Sequence, residues 1–375
     1  MKSNRFILLA AGIAVAATAS ATITIPTVPV GDAGNANNGS GFGGVSYDYR
    51  IGTHEVTNAQ YAAFLNSVAA TDTHELYDPN MGSDARGGIS RGGAAGSHTY
   101  VTKANMADKP VNFVTFWDAA RFANWLTNGQ PTGPQGDGTT EDGMYDLDGV
   151  TNPTNGSVTR LRDFGSGENG VAVTSENEWY KAAYYDPGSS GPSGDYWLYP
   201  TRSNTLPDFA IATGVGDVSN PGANVANYDS GADWNGQSGN VTTVGSAGAA
   251  SYYGTFDQGG NVNEWNDKII SGLLRGLRGG SFSSDFSTLE SSGRDNLDPV
   301  FAFDDLGFRV SSLAPIPEPP ATAAISGVLG TLMALLRRKG RRKNRTQRSA
   351  FSPIFQIVHP KQLKPFSAKP VNDAG

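Results

Sequence analysis

The chain has 375 residues, no cysteine, 38% hydrophobic and 17% charged residues, 48 glycines and 21 prolines. This composition supplies a packed core with few long helices and excludes a disordered chain. The net charge of -7 hides an asymmetry, because residues 1–21 carry +2 and residues 337–375 carry +10, leaving -19 on residues 22–336. A body so acidic repels phosphate backbones and excludes nucleic acid as a partner, while it suits the binding of cations.

Residues 1–21, MKSNRFILLAAGIAVAATASA, begin basic, run apolar over residues 6–17 and end on the small residues Ala19 and Ala21. That pattern predicts an export signal removed by signal peptidase; the apolar run is shorter than the roughly 20 residues a spanning helix needs. Residues 22–44 read as a lead-in. TNAQYAAFLNSV then opens with Thr57 and has Gln60 three residues on, a capping box, with Tyr61, Phe64, Leu65 and Val68 at helical spacing. TFWDAARFANWLTNG repeats the device with Thr115 and Asp118 and stops at Gly129. SENEWYKAAYYDPG does so with Ser175 and Glu178 and is broken by Pro187 and Gly188. All three apolar stripes predict core-facing helices.

Between and after them, short apolar runs such as VTTVG and GFRV, separated by Gly, Asn, Asp and Ser, predict short strands and many turns. GPQGDGTTEDG (residues 133–143) and DPGSSGPSGD (residues 186–195) read as excursions within one body rather than as linkers.

The C-terminal part carries Pro-Glu-Pro at residues 317–319, an apolar stretch over residues 321–336, and an Arg/Lys cluster. Residues 315–343 thereby resemble the PEP-CTERM sorting signal of exported proteins of Gram-negative bacteria. The resemblance implies transient anchoring in the inner membrane with the basic end cytoplasmic. It also implies processing by an exosortase near Pro-Glu-Pro and delivery to the cell surface or exterior. A plain C-terminal membrane anchor is the alternative. Residues 344–375 read as a disordered basic tail, which members of that family usually lack. An exported chain without cysteine must order its long loops by other means, and bound cations are the obvious candidates.

YRIGTHEVTNAQYAAFLN, DKPVNFVTFWDAARFANWL, SENEWYKAA, ANYDS, VGS, YGTFDQGGNVNEW, LRGGSF and GFRV follow one another in the chain. In that order they resemble the formylglycine-generating enzyme family, or sulfatase-modifying factors, over residues 45–313. The resemblance implies an α+β, irregular, loop-rich fold, a variant of the C-type lectin fold. AVTSE stands where relatives often have Arg-Leu-Pro before the third helix.

Catalytic members bind copper(I) through two cysteine thiolates, soft ligands that select it. Here Ser284 and Leu289 occupy the matching positions, three residues after Ser281 and five further on. The copper mechanism therefore cannot run, and no copper is expected. Iron-dependent relatives need a histidine cluster, whereas His54, His74, His98 and His359 show no ligand spacing. The resemblance also places a structural calcium ion on Asp257, Gly260, Val262 and Glu264. This agrees with the preference of a hard cation for carboxylates and exposed carbonyls. A second site would take Asn227, the Tyr228 carbonyl and Asp233. The bland alternative is that Asp257 and Glu264 only cap turns. Arg294 and Arg309 match family positions and read as structural forks. The tetrapeptide EWND, Glu264 to Asp267, is similar to the Trp-Asn-Asp of sugar-binding lectins.

Two classes of function remain. The leading one is an exported, surface- or matrix-directed, calcium-stabilised binding or structural module, with a polysaccharide or a protein as partner. The other is a divergent protein-modifying enzyme, with calcium-dependent glycan binding as a further variant.

Overall fold

A computed structural model of the chain describes residues 22–316, apart from residues 190, 192 and 193. The expected export signal, the apolar stretch at 321–336 and the basic tail lie outside the described residues. Among the described residues no helix is long and apolar enough to cross a membrane.

In chain order the elements are β1 (Thr27–Val30), β2 (Tyr49–Gly52), α1 (Asn58–Val68), α2 (Asn80–Ser83), β3 (Ile89–Gly92), β4 (Thr99–Thr102), α3 (Phe116–Thr127), β5 (Val171–Val173) and α4 (Glu176–Tyr184). Then come β6 (Asp208–Phe209), β7 (Val225–Ala226), β8 (Asn263–Ser271), β9 (Leu274–Arg278), β10 (Asp295–Leu297), β11 (Leu306–Phe308) and β12 (Val310–Ser312). The fold is α+β and loop-rich.

The three expected helices form for the expected local reason. Each N-cap hydroxyl accepts the amide three residues on, and that residue's side chain accepts the cap's own amide, at 2.9 Å for Gln60 and Thr57, 2.9 Å for Asp118 and Thr115, and 2.8 Å for Glu178 and Ser175. After α3, Gly129 takes a left-handed φ of 80° and its amide bonds Leu126 O.

One sheet has the order β1-β2-β12-β5, all antiparallel, so residues 22–44 contribute a strand to the body. The other has the order β10-β9-β8-β11, with β11 parallel to β8. β11 and β12 are one extended run interrupted only at Arg309, so a single stretch of chain belongs to both sheets. VTTVG, expected as a strand, is not one. Its amides bond scattered partners, Thr242 N to Asn261 Oδ1, Thr243 N to Gly216 O and Val244 N to Asp108 O, so no ladder forms.

The main core lies between α1, α3 and the sheets. Phe122 sets its ring 5.3 Å from Phe64 and 5.4 Å from Phe308, and Phe116 meets Trp265 at 6.2 Å. A second cluster gathers Trp179, Tyr180 and Tyr184 of α4 with Tyr196. Beyond the apolar stripe, the polar positions of α3 and α4 are buried as well: Arg121, Glu176, Glu178 and Lys181 all lie inside.

Arg121, Glu176 and Glu178 are paired with opposite charges, and Lys181 Nζ donates to Asp32 O at 2.9 Å. Glu178 accepts Arg160 Nη2 at 2.7 Å, Tyr47 Oη at 2.8 Å, Ser311 Oγ at 2.9 Å and Ser175 N at 2.8 Å, tying α4 to β12 and to the chain before β2. Burial by itself would raise its carboxyl, but the Arg160 charge and these donors overrule it and hold Glu178 at about 2. Because the folded value is depressed, this stability is present above the ordinary carboxylate range and is lost as pH falls through about 2. Glu178→Ala is expected to cost about 3–5 kcal/mol, because it removes, together with the acceptor of Tyr47 and Ser311, one of the two carboxylates that compensate the buried Arg160 charge, leaving only Asp267. Denaturant unfolding at neutral pH checks this, and a loss below about 1 kcal/mol would contradict it.

A candidate cation site of three carboxylates and one guanidinium

The loop before β8 is built on left-handed backbone, with φ of 58° at Asp257, 89° at Gly260 and 64° at Asn261. Glycine is required at 260 because a Cβ there would stand 2.1 Å from Asn227 O. This close approach lets Asn261 N donate to Asn227 O at 2.8 Å, and it sets the two sequence-predicted cation sites side by side.

Glu264, on β8, is fully buried and already engaged. Arg309 Nε and Nη2 donate to its two oxygens at 2.6 Å each, and Trp179 Nε1 donates to Oε2 at 2.9 Å. The remaining Arg309 donors reach Gly52 O at 3.1 Å and Phe256 O at 3.0 Å. Arg309 is thus the structural fork expected of it.

Two further carboxylates share the place. Asp257 Oδ2 accepts Gly245 N at 2.5 Å. Burial lifts this carboxyl to about 6, with the Glu264 charge adding and the Gly245 amide and Arg309 opposing. Glu55 is 2% exposed, and neither of its oxygens accepts a hydrogen bond among the described residues. Arg309 Nη2 stands 3.9 Å from Glu55 Oε2, an ion pair without a hydrogen bond. Burial, then the charge of Asp257, push Glu55 well above the usual carboxylate range. Glu55 is held here because its neighbour Val56 donates to Phe308 O at 2.9 Å, one residue before Arg309. Sequence reasoning passes over it. The available signal was an acid inside the otherwise uncharged IGTHEV approach to α1. His54 stacks on Phe256 at 5.4 Å, and burial, helped by Arg309, draws its imidazole down to about 4.

With Glu55, Asp257 and Glu264 ionised against one Arg309, the group carries two uncompensated negative charges. Isolated buried charges cost several kcal/mol each, so the fold must supply protons or a cation. A divalent cation fits that deficit, and Glu55 offers it two free oxygens. Among the described residues no three acidic or histidine side chains converge closely enough to hold a metal alone. The backbone carbonyls at Gly260 and Val262 would therefore complete the shell around Glu55 and Asp257. Glu264 has most of its lone pairs committed to Arg309 and Trp179.

The residues expected at a second site are arranged differently from one another. Asn227 is buried, donates to Asn240 O at 2.9 Å and to Asn261 Oδ1 at 3.2 Å, and leaves its own Oδ1 without a partner among the described residues. The Tyr228 carbonyl accepts Gly231 N at 3.0 Å. Asp233 is exposed and closes its own loop, accepting Gly239 N at 2.7 Å.

At the positions matching the copper cysteines, Ser284 accepts Ser281 N at 3.0 Å and lies 3.0 Å from Ser281 Oγ, which donates to Asp305 at 3.1 Å. Leu289 is fully buried against Tyr199, Ala226 and Tyr228. A cavity of about 110 Å³ beside Ser284 is bordered by Asn263, Arg294 and Asp295 and contains no imidazole to act as a base. Arg294 forks onto Glu176 at 2.6 and 2.8 Å, sharing it with Arg278. The EWND tetrapeptide is turned inward, which corrects the lectin-like reading of it. Trp265 donates to Val114 O at 3.0 Å, Asn266 is fully buried, and Asp267 pairs with Arg160 at 2.5 Å.

Residues 27–313 match the family described as the sulfatase-modifying factor enzyme 1-like domain. Solved structures with a similar fold include CarF, at 21% identity and a TM-score of 0.45, covering 77% of this chain and 98% of that one. Variable protein 1 of Treponema denticola is 19% identical, with a TM-score of 0.45 and coverage of 77% and 95%. PvdO from Pseudomonas aeruginosa is 17% identical, with a TM-score of 0.38 and coverage of 72% and 82%. No curated protein matches the chain.

One chemical consequence is directly testable. Incubated with copper(I) and a cysteine-bearing sulfatase peptide, the protein is expected to leave the peptide mass unchanged, because no thiolate exists to hold the metal. Replacement of the thiol by an aldehyde, read by mass spectrometry, would contradict this.

Proposed function

The chain belongs to the sulfatase-modifying-factor family, and on that premise we propose that it is an exported, calcium-stabilised binding or structural module rather than a formylglycine-forming catalyst. The observation that carries the calcium reading is Glu55, a buried carboxylate with two oxygens free of donors beside Asp257. Calcium takes oxygen ligands, carbonyls included, and its two charges offset the deficit around Arg309. The non-catalytic reading is supported by the serine and the packed leucine that stand where thiolates would be needed. Export rests on the N-terminal apolar segment and the Pro-Glu-Pro, apolar and basic succession at the C-terminus. Signal peptidase and an exosortase would process the chain, and the acidic body would reach the cell surface or exterior.

The ion is structural in this account. A ligand that binds only the folded state stabilises it by about 2.7 kcal/mol at a hundredfold excess over Kd. Glu264 is a poor place to test this, because its removal also strands Arg309. Glu55 is the discriminating position.

In chelator, Asp257 and Glu55 bind protons more tightly folded than unfolded. Burial of Asp257 therefore destabilises progressively as pH rises from the ordinary carboxylate range through about 6, and burial of Glu55 acts in the same direction. The melting temperature in chelator is expected to fall between pH 5 and pH 7.5, and millimolar calcium to remove most of that fall. Glu55→Gln should melt above the chelated wild type at pH 7.5 and lose most of the calcium increment. Equal melting of wild type with calcium and with chelator at pH 7.5 would overturn the calcium reading.

Sorting has a separate test. Ile316 is 4% exposed and packs in the main core, so a truncation must spare it. Deleting residues 317–375 in a host with an exosortase is expected to release the body into the medium, where the full chain passes through a membrane-bound precursor. Identical fractionation of the two would contradict the sorting reading.

A further inference from the structure

A cavity of about 530 Å³ shares no lining residue with the Arg309 cluster or the serine positions, and no functional expectation was attached to it. Its size falls within the range of about 300–1,000 Å³ typical of small-ligand pockets. It opens between the loop after α1, the start of α3 and the segment joining β10 to β11.

Its lining has two characters. Asp72, Glu75, Asp78 and Asp118 supply four carboxylates against one guanidinium, Arg91. That guanidinium is already committed, 3.3 Å from Asp72 Oδ2 and stacked 4.6 Å over the Tyr77 ring. Asp72 is further occupied with Leu76 N at 2.8 Å and Gln135 Nε2 at 3.3 Å, so it holds the loop. Glu75 and Asp78 keep solvent access and have no cationic partner within ion-pair distance among the described residues. Asp118 is 4% exposed, and burial lifts its carboxyl to about 7. His74 also lines the cavity. It is 7% exposed, and its Nδ1 finds no hydrogen-bond partner among the described residues.

The opposite wall is apolar and faces outward. Phe301 is 48% exposed, Val300 39%, and the Phe301 ring stacks on Phe303 at 5.9 Å. These residues are not loose: Phe116 N bonds Pro299 O, Phe301 N bonds Asp298 O, and Phe113 N bonds Phe303 O. Holding large apolar side chains at the surface forgoes their burial, and the cavity gives them a use.

We propose that this cavity binds an organic cation, an ammonium or guanidinium carried on an apolar stem, with the head on Asp78 and Glu75 and the stem or charge against the Phe301 face. Carboxylates supply the counter-charge, and an aromatic face attracts a cation within about 6 Å of its centroid. A free alkylamine and a basic side chain of a partner protein share this chemistry. A bare metal ion gains nothing from the apolar wall, and a neutral polyol gains little from the charge. The site uses none of the residues of the calcium proposal and stands if that proposal fails. It rests on the binding-module reading only for its setting.

Calorimetry with the full chain at low salt would use agmatine, the peptide Gly-Lys-Gly and the neutral n-pentanol. At least one of the two cations should bind one per chain and n-pentanol should not; which cation binds distinguishes a free amine from a protein-borne one. Glu75→Gln combined with Asp78→Asn, which keeps the oxygen that accepts Asn80 N, should weaken binding about tenfold or more. Phe301→Ser should do likewise, while Glu55→Gln should leave the affinity unchanged. Binding of neither cation, equal binding of n-pentanol, or unchanged affinity in both cavity variants would overturn the proposal. Stoichiometric displacement of the amine by calcium would overturn it as well, in favour of an inorganic cation site.

Discussion

The bidentate pairing of Arg309 with Glu264 is the constraint on which the rest of the structure depends. Arg309 is the single residue between β11 and β12, the point at which one extended run leaves one sheet and joins the other. Its guanidinium fixes that crossing by gripping β8 through Glu264, β2 through Gly52 O and the cation loop through Phe256 O. A buried guanidinium has no alternative solvent partners, so each of these strands must be correctly placed before the charge is satisfied. The same pairing explains why two other carboxylates beside it are left over, a deficit that protons or a cation must meet.

This logic recurs wherever the body lacks regular structure. Arg121 forks onto Glu141 at 2.8 and 2.9 Å, and Asn124 donates to Thr140 O and Tyr145 O while accepting Met144 N and Tyr145 N. Together they fasten the Gly-rich excursion around residues 133–143 onto α3. Asn58 does the same for the chain after β4, reaching the carbonyls of Met106, Lys109 and Pro110. Without cysteine, buried amides and forks perform the cross-linking that disulfides provide in many small exported domains. Unlike a disulfide, such a network is only as good as its least satisfied member. Glu55, beside Arg309, is a member with neither oxygen hydrogen-bonded among the described residues.

The three capped helices were legible in the sequence because a capping box is complete within four residues. The Asp257–Glu264 loop was legible as a place, because its glycines and carboxylates are adjacent. What those residues do was less legible, since Arg309 lies 45 residues from Glu264 and 257 from Gly52. Glu55 was missed because its neighbours arrive from distant parts of the chain. EWND resembled a lectin motif because short polar motifs carry no mark of burial, and VTTVG looked like a strand because Val and Thr favour one. In both, tertiary partners overrode the local pattern. The charged positions of α3 and α4 went inside for the same reason: their counter-ions come from elsewhere.

The family fold is thus retained, with a hydroxyl at Ser284 and a packed leucine at Leu289, and the well-satisfied Arg309 framework is kept around a charge deficit. The most direct measurement is an X-ray structure of the mature body grown with calcium, with anomalous differences collected. The account predicts a peak about 2.3–2.6 Å from oxygens of both Glu55 and Asp257. No peak there, with Glu55 meeting only water, would contradict it.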